Sequence, residues 1–447
     1  MITAKAFAGK RYGVYGLARS GLATARALLA SGASVTAWDL KKEPRDALVA
    51  SIASDRASAE NLAVANLDEA DLSQLDSLVV TPGLPLNRHP VAQRARAAGV
   101  EIVGDIELFA RARKELPSHK VVGITGTNGK STTTALVDHI LKSVGVPTTM
   151  GGNIGLPILA QEPLPKGGVY VLELSSYQID LTRSLACDVA VLLNITPDHL
   201  DRYQDFDSYA ASKERLFTMS EPSQVGVIIH DEGPARSISD RHRDKFDAGN
   251  WHDIDPSLVP EWLAQELGSQ REWPSLQGPH NALNAAAAAV TCIALGVAPD
   301  AVRQGLRSFT GLPHRMEHVR DLAGVAFVND SKATNPTAVA PALAAFDRIR
   351  WILGGQAKTD NLDECAPYFA HVASAYTIGD AAGLFERLLS SHVPVKNCGK
   401  LEVAVREAAA DAKAGDTVLL SPACASFDQF RDFEDRGEQF RALVGAL

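Results

Sequence analysis

The chain reads as an α/β protein of three parallel-sheet domains, and three observations carry that reading. Strand-length apolar runs alternate with helix-period segments along the 447 residues. Several of the runs, such as Val169 to Leu172 and, within Asp188 to Ile195, Val189 to Leu193, are continuously apolar, as strands buried on both faces of a parallel sheet are. Glycine-rich or polar loops follow the strands, at the carboxyl edge where open α/β sheets bind ligands. The length exceeds what one hydrophobic core usually fills, and breaks near Gly104 and at Gly311-Leu-Pro-His-Arg315 divide the chain into segments 1–104, 105–312 and 313–447.

The first segment opens with a strand, Tyr12 to Tyr15, the turn Gly16-Leu-Ala-Arg-Ser-Gly21, a helix running to Leu29, and a second strand, Ser34 to Trp38, ending at Asp39. This β-α-β unit approximates the dinucleotide fingerprint G-x-G-x-x-G with an acid about 20 residues on, except that Ala18 replaces the glycine that lets backbone approach a pyrophosphate. A third strand, Ser77 to Val80, leads into Thr81-Pro-Gly83.

In the second segment the strand Lys120 to Ile124 enters Gly126-Thr-Asn-Gly-Lys-Ser131, and a helix with apolar Leu136, Ile140, Leu141 and Val144 follows. Strand, glycine loop and helix come in the order a phosphate loop needs: loop N–H groups and the helix N-terminus face phosphate oxygens, Lys130 adds a cation, and the Ser131 hydroxyl suits magnesium. The strict G-x-x-x-x-G-K-[ST] pattern fails, because Ile124 stands where its first glycine belongs, so a structural glycine turn is the alternative. The next two strands end in Glu173-Leu-Ser-Ser176 and Asn194-Ile-Thr-Pro-Asp-His199, delivering a carboxylate and an imidazole beside that loop. Together they suit a metal; singly, Glu173 could be a buried ion-pair partner and His199 a helix cap. Tyr209, Lys213, Leu216 and Phe217 share one helical stripe, which either buries the Lys213 ammonium or leaves it to snorkel to water.

The third segment repeats the alternation. Strands Val325 to Val328, Ile349 to Leu353 and Thr417 to Leu420 lead into Asn329-Asp-Ser-Lys-Ala-Thr-Asn-Pro336, Gly354-Gly-Gln-Ala-Lys358 and Ser421-Pro-Ala-Cys-Ala-Ser-Phe-Asp-Gln-Phe430. No histidine in its loop could activate Cys424, which reads as a small buried residue.

Composition narrows the class. Hydrophobic residues make up 46% and charged residues 22%, as in ordinary globular proteins, and a net charge of -9 without a basic block gives no general attraction to nucleic acid or acidic lipid. Five scattered cysteines without a C-x-x-C pair argue against a disulfide framework or zinc site and for reduced thiols in a cytoplasm. Met1 to Arg11 lacks the apolar stretch of a signal peptide, and no run of about 18 apolar residues suggests a membrane span. The Ala-rich stretch Ala285 to Val297 reads as a buried helix.

The set Gly126-Thr-Asn-Gly-Lys-Ser131, Glu173-Leu-Ser-Ser176, Asn194-Ile-Thr-Pro-Asp-His199-Leu-Asp-Arg202, His280-Asn-Ala-Leu-Asn284 and His314-Arg315 resembles the Mur ligases, in this order and over nearly the whole chain. That family's shorter G-x-x-G-K-[ST] loop accounts for the missing glycine. Asp330-Ser-Lys-Ala-Thr-Asn335 and Ser421-Pro-Ala-Cys-Ala-Ser426 are similar to those of members that add D-glutamate.

The resemblance implies a Rossmann-like N-terminal domain for a UDP-linked substrate, a central P-loop ATPase-type parallel sheet, and a Rossmann-like C-terminal domain for the incoming amino acid. The implied activity joins D-glutamate to UDP-N-acetylmuramoyl-L-alanine through an acyl phosphate, with ATP and two magnesium sites, in a monomeric cytoplasmic enzyme of peptidoglycan synthesis. Gly126, Thr127, Asn128, Gly129, Lys130, Ser131, Thr132 and Asn153 would hold the phosphates, and Asn284, Arg315 and Asp330 the nucleoside. Ser131, Glu173 and His199 would serve the metals together with Lys213, which matches a lysine carbamylated by carbon dioxide. Arg19, Ser20, Asp39, Lys41, Gly83 and Ser175 would meet the UDP substrate, with Lys41 standing where an arginine is expected. Lys332, Thr334, Lys358, Ser426, Phe427 and Phe433 would form the D-glutamate pocket, and Lys130, His199, Lys213 and Lys332 would be the catalytic set. The rivals are another Mur ligase, a folylpolyglutamate-synthetase-like ligase, which lacks the N-terminal domain, a nicotinamide-dependent dehydrogenase using Gly16 to Gly21 and Asp39, and a non-catalytic nucleotide-binding protein.

Overall fold

A computed structural model describes residues 1–198, 202–230 and 233–447. The chain forms two compact units, Met1–Leu258 with Ala286–Ala301, and Val259–Ala285 with Val302–Leu447.

The first unit holds two sheets, all of whose pairings are parallel. In the five-stranded sheet the strands lie in the order Leu62–Val64, Ser34–Trp38, Arg11–Tyr15, Ser77–Val80, Glu101–Val103. The chain order reverses beside Arg11–Tyr15, so the Gly16 turn and Thr81-Pro82-Gly83 leave neighbouring strands at the switch point. The glycines there answer to close approach: a Cβ on Gly16 would stand 2.5 Å from Thr81 Oγ1, and one on Gly21 1.8 Å from the Gly16 carbonyl oxygen. Ala18 is exposed and extended at the N-cap of helix Arg19–Ala30, where no such constraint applies.

The six-stranded sheet runs Trp251–Ile254, Val225–Ile229, Val189–Leu192, His119–Thr125, Gly168–Glu173, Thr148–Gly152. The inner strands are buried along almost their whole length, which explains their uninterrupted apolar sequence. The strand expected over Asp188 to Ile195 is shorter, Val189–Leu192, because Asn194 peels away to bind the neighbouring loop.

The second unit carries the sheet Glu317–Leu322, Val325–Asn329, Thr417–Leu420, Ile349–Gly354, Val372–Ile378, Val395–Gly399. Only its first strand is antiparallel to its neighbour. A two-stranded ribbon pairs Gln356–Ala357 with Cys424–Ala425. The Ala-rich segment lies in helix Pro279–Ala294, with Ala285 to Ala289 fully buried. Among the described residues no helix is long and apolar enough to cross a membrane, and all five cysteines are free thiols, Cys424 being fully buried.

Candidate functional site

Strand His119–Thr125 delivers the chain into Gly126 (φ 154°) and then Gly129 (φ 83°), the N-cap of helix Lys130–Ser143. Asn194 clamps the loop between them. Its Oδ1 accepts from Thr127 N (3.1 Å) and Asn128 N (2.8 Å), its Nδ2 donates to Asn128 O (3.1 Å), and its carbonyl accepts from Thr127 N (2.9 Å). Thr127 Oγ1 also donates to Thr196 O and lies 3.1 Å from the Tyr209 hydroxyl. The loop is thus held by side chains, and Ser131 and Thr132 occupy the first helical turn, where N–H groups favour an anion. Lys130 Nζ donates to Gly126 O (2.9 Å) and Thr127 O (2.7 Å), which keeps the cation over the loop.

Glu173 ends the strand Gly168–Glu173 and registers with Ile124 across the sheet. It is 3% exposed. Its Oε1 accepts from Asn153 Nδ2 (2.9 Å), and its Oε2 is buried without a hydrogen-bond partner among the described residues. No ion pair to Glu173 occurs among those residues. Leaving a carboxylate oxygen bare is costly unless a cation approaches it, so this site suits a metal.

Lys213 lies in helix Phe206–Thr218 and is 1% exposed, so it does not snorkel to water. Its Nζ donates to Gly126 O (2.9 Å) and sits 4.6 Å from the centre of the Tyr209 ring. Burial and the neighbouring Lys130 charge pull its pKa down to about 7. The structure therefore brings Lys130, Ser131, Asn153, Glu173 and Lys213 to one sheet edge. His199 lies outside the described residues, and among those described no three His, Cys, Asp or Glu residues stand together as a metal site.

The residues expected at the UDP substrate are distributed along the switch point of the five-stranded sheet and one loop of the six-stranded sheet. Both Asp39 oxygens are engaged by backbone, Oδ2 by Leu17 N (2.7 Å) and Oδ1 by Lys41 N (2.9 Å). Arg19 donates to Gly155 O (3.0 Å), Ser20 is half-buried, and Lys41 and Gly83 are exposed. Ser175 caps helix Ser176–Asp180 in a capping box with Gln178.

In the second unit the three loops after Val325–Asn329, Ile349–Gly354 and Thr417–Leu420 converge. Lys358 Nζ donates to Thr334 Oγ1 (3.1 Å), and the ribbon pairing Gln356 with Ala425 and Ala357 with Cys424 joins the loop that carries Lys358 to the one that carries buried Ser426. Lys332 Nζ lies 5.3 Å from the centre of the Phe433 ring, while Phe427 is 69% exposed. Asp330 is buried, accepts from Ser421 Oγ (2.7 Å) and Met316 N (3.1 Å), and is pushed up to about 7 by that burial. Asn284 Nδ2 donates to Asn281 Oδ1 (3.1 Å). Arg315 follows His314, a buried non-glycine residue at φ 61° whose carbonyl accepts from Lys332 N (2.9 Å). That contact ties the Gly311–Arg315 segment to the Lys332 loop.

Two positions escaped the sequence reading. Asn194 stands in a motif whose sequence gives it no role of its own. Arg436, fully buried, donates to Ser331 Oγ and O, Gly354 O and Cys424 O, one partner on each of the three loops. A charged residue between Asp435 and Glu438 gives no hint of burial.

Three family descriptions match the chain in succession: Mur ligase MurD-like, N-terminal domain over residues 10–104, Mur ligase middle domain over 124–249, and Mur ligase, glutamate ligase domain over 314–424. The chain belongs to the Mur ligases. It is 58% identical to the UDP-N-acetylmuramoylalanine--D-glutamate ligase of Novosphingobium aromaticivorans, over all of this chain and 97% of that one. It is 55% identical to the enzyme of the same name from Sphingopyxis alaskensis over the full length of both. Among solved Mur ligases, UDP-N-acetylmuramate-alanine ligase MurC from Thermotoga maritima superposes with a TM-score of 0.55 at 16% identity, covering 98% of this chain and 99% of that one. A UDP-N-acetylmuramoyl-L-alanyl-D-glutamate--2,6-diaminopimelate ligase gives 0.54 at 19%, covering 85% and 94%. These two share the Mur ligase fold. Membership sets aside the dehydrogenase and the non-catalytic nucleotide binder.

Proposed function

We propose that this Mur ligase joins D-glutamate to UDP-N-acetylmuramoyl-L-alanine at the expense of ATP, forming ADP and phosphate in the cytoplasmic assembly of peptidoglycan precursors. The observation that carries the reading is identity of 58% and 55% along the whole chain to enzymes with that name. Residues 1–104, 105–312 and 313–447 are read as the UDP-substrate, ATP and amino-acid domains.

The alanyl carboxylate of the substrate attacks the γ-phosphorus of ATP, the bond to ADP breaks, and an acyl phosphate results. Two anions must approach while charge spreads over the transferring group. Lys130 and the N–H groups at the start of helix Lys130–Ser143 face that charge. Ser131, Glu173, His199 and a carbamylated Lys213 would hold magnesium, which would supply further neutralisation when bound. The bare Glu173 Oε2 and the buried Lys213 amine support this assignment, since a carbamate turns a buried cation into an anionic ligand. The amine of D-glutamate then attacks the acyl carbon, phosphate leaves, and the amide forms with loss of a proton. Lys332 and Lys358 suit the two carboxylates, Thr334 and Ser426 offer donors, and Phe433 walls the methylene stem.

The test is ADP release across UDP-N-acetylmuramoyl substrates against D-Glu, L-Glu, L-Ala, L-Lys and meso-diaminopimelate. Release that requires UDP-N-acetylmuramoyl-L-alanine and D-Glu together is expected. Better turnover with another amino acid would move the chain to a different Mur ligase activity.

A further inference from the structure

Arg202 closes the motif that begins at Asn194, and the reaction above gives it no part. Its guanidinium lies 4.3 Å from the centre of the Tyr177 ring and donates to three successive carbonyls: Gly83 O from Nη1 (3.2 Å), and Pro82 O (3.4 Å) and Leu84 O (2.7 Å) from Nη2. These carbonyls belong to the turn after strand Ser77–Val80, closed by Leu84 N donating to Thr81 O (3.0 Å). Three carbonyl dipoles turned toward one point repel one another unless a donor stands among them.

The platform beneath the guanidinium is itself fixed. Tyr177 stacks on Tyr203 with ring centres 6.1 Å apart and planes 13° from parallel, and the Tyr203 hydroxyl donates to Asp180 (2.8 Å) and lies 3.3 Å from Ser212 Oγ. Tyr177 lies on helix Ser176–Asp180, one turn that Ser175 caps. One side chain therefore links the loop bearing Gly83 to the helix start bearing Ser175, and those two positions are substrate contacts in the reading above.

We infer that Arg202 is a positioning residue that holds the Thr81–Leu84 loop at a set distance from the Ser175 helix, so that the UDP-linked substrate meets both at once. The inference rests on the proposed substrate. A lysine cannot replace Arg202, since a point ammonium has neither the planar fork that reaches three carbonyls nor the flat face that stacks on Tyr177.

The experiment compares the full chain with Arg202→Lys and Arg202→Ala. In steady-state ADP release, both variants are expected to raise KM for UDP-N-acetylmuramoyl-L-alanine by about tenfold or more, as loss of charge-assisted hydrogen bonds predicts. KM for ATP and for D-Glu should stay within about twofold. Hydrogen exchange on the ligand-free protein should show faster exchange in the peptide spanning residues 81–89 and unchanged exchange in the phosphate loop. If Arg202→Ala unfolds, Arg202→Lys carries the comparison. An unchanged KM and unchanged exchange in Arg202→Lys, or an equal rise in all three KM values, overturns the inference. Failure of the wild-type protein to release ADP with this substrate defeats the functional reading instead, while the exchange measurement still decides what Arg202 holds.

Discussion

Replacing Asn194 with alanine isolates what a held phosphate loop contributes. The substitution removes the Asn128 N–H bond (2.8 Å), the side-chain half of the shared Thr127 N–H bond (3.1 Å) and the bond to Asn128 O (3.1 Å). The bond from Thr127 N to the Asn194 carbonyl survives, because it needs no side chain. Two full hydrogen bonds and part of a third are lost, which at ordinary net values amounts to about 1–3 kcal/mol. Because Asn128 is exposed, water can take over its groups in the resting protein, so stability should change little. The loss should fall on ATP, whose phosphates need the loop N–H groups already aimed, and kcat/KM for ATP should drop about fivefold to 150-fold. Asn194→Asp keeps both acceptors but loses the donor and places a negative charge beside the phosphates, so it should do worse than alanine toward ATP. ADP-release kinetics with each substrate varied in turn, alongside thermal unfolding, make the check. Unchanged ATP kinetics in a folded Asn194→Ala protein, or equal losses toward all three substrates, would refute the clamp.

Lys213→Arg keeps a buried cation that can neither lose its charge nor take up carbon dioxide, so turnover should fall at least about a hundredfold; in the wild type, turnover should fall in carbon-dioxide-depleted buffer and return with bicarbonate, and full turnover without carbon dioxide would remove the carbamate. Lys358→Ala and Ser426→Ala should raise KM for D-Glu and leave KM for ATP nearly unchanged; parallel rises in both would reduce these residues to structural supports. Glu101 accepts from Arg111 (2.7 and 3.0 Å) and from Ser77 (2.5 Å), and mainly the Arg111 guanidinium holds its carboxyl down to about 2 from an ordinary 4.5. A lowered folded-state value stabilises the fold fully above pH 4.5 and progressively less as pH falls toward 2. The Tm deficit of Glu101→Gln should therefore be largest at neutral pH and shrink across that window, whereas a deficit independent of pH would contradict the ion pair.

Lys213 shows what a sequence can disclose. Its place among Tyr209, Leu216 and Phe217 marks an apolar stripe, which leaves burial and snorkelling both open for a lysine, and the structure decides for burial at 1% exposed. The apolar run misleads at Asp188 to Ile195, where every residue from Val189 to Leu193 is buried but the strand ends at Leu192. Hydrophobicity reports what leaves water, and pairing depends on where the backbone turns. Asn194 makes that turn for a partner 66 residues away in sequence, so nothing local to it distinguishes a clamp from a cap. Arg436 is the harder case. It sits in a helix beside Glu434, Asp435 and Glu438, where a charge reads as solvated, yet its partners come from residues 12, 82 and 105 positions away. A buried guanidinium is tolerated there because carbonyls from three loops satisfy its donors without a countercharge. Such a group can be recognised only after the sheet has brought those loops together. The candidate binding residues are thus legible from their loops at strand ends, and the residues that hold those loops in place are written in contacts that no spacing reveals.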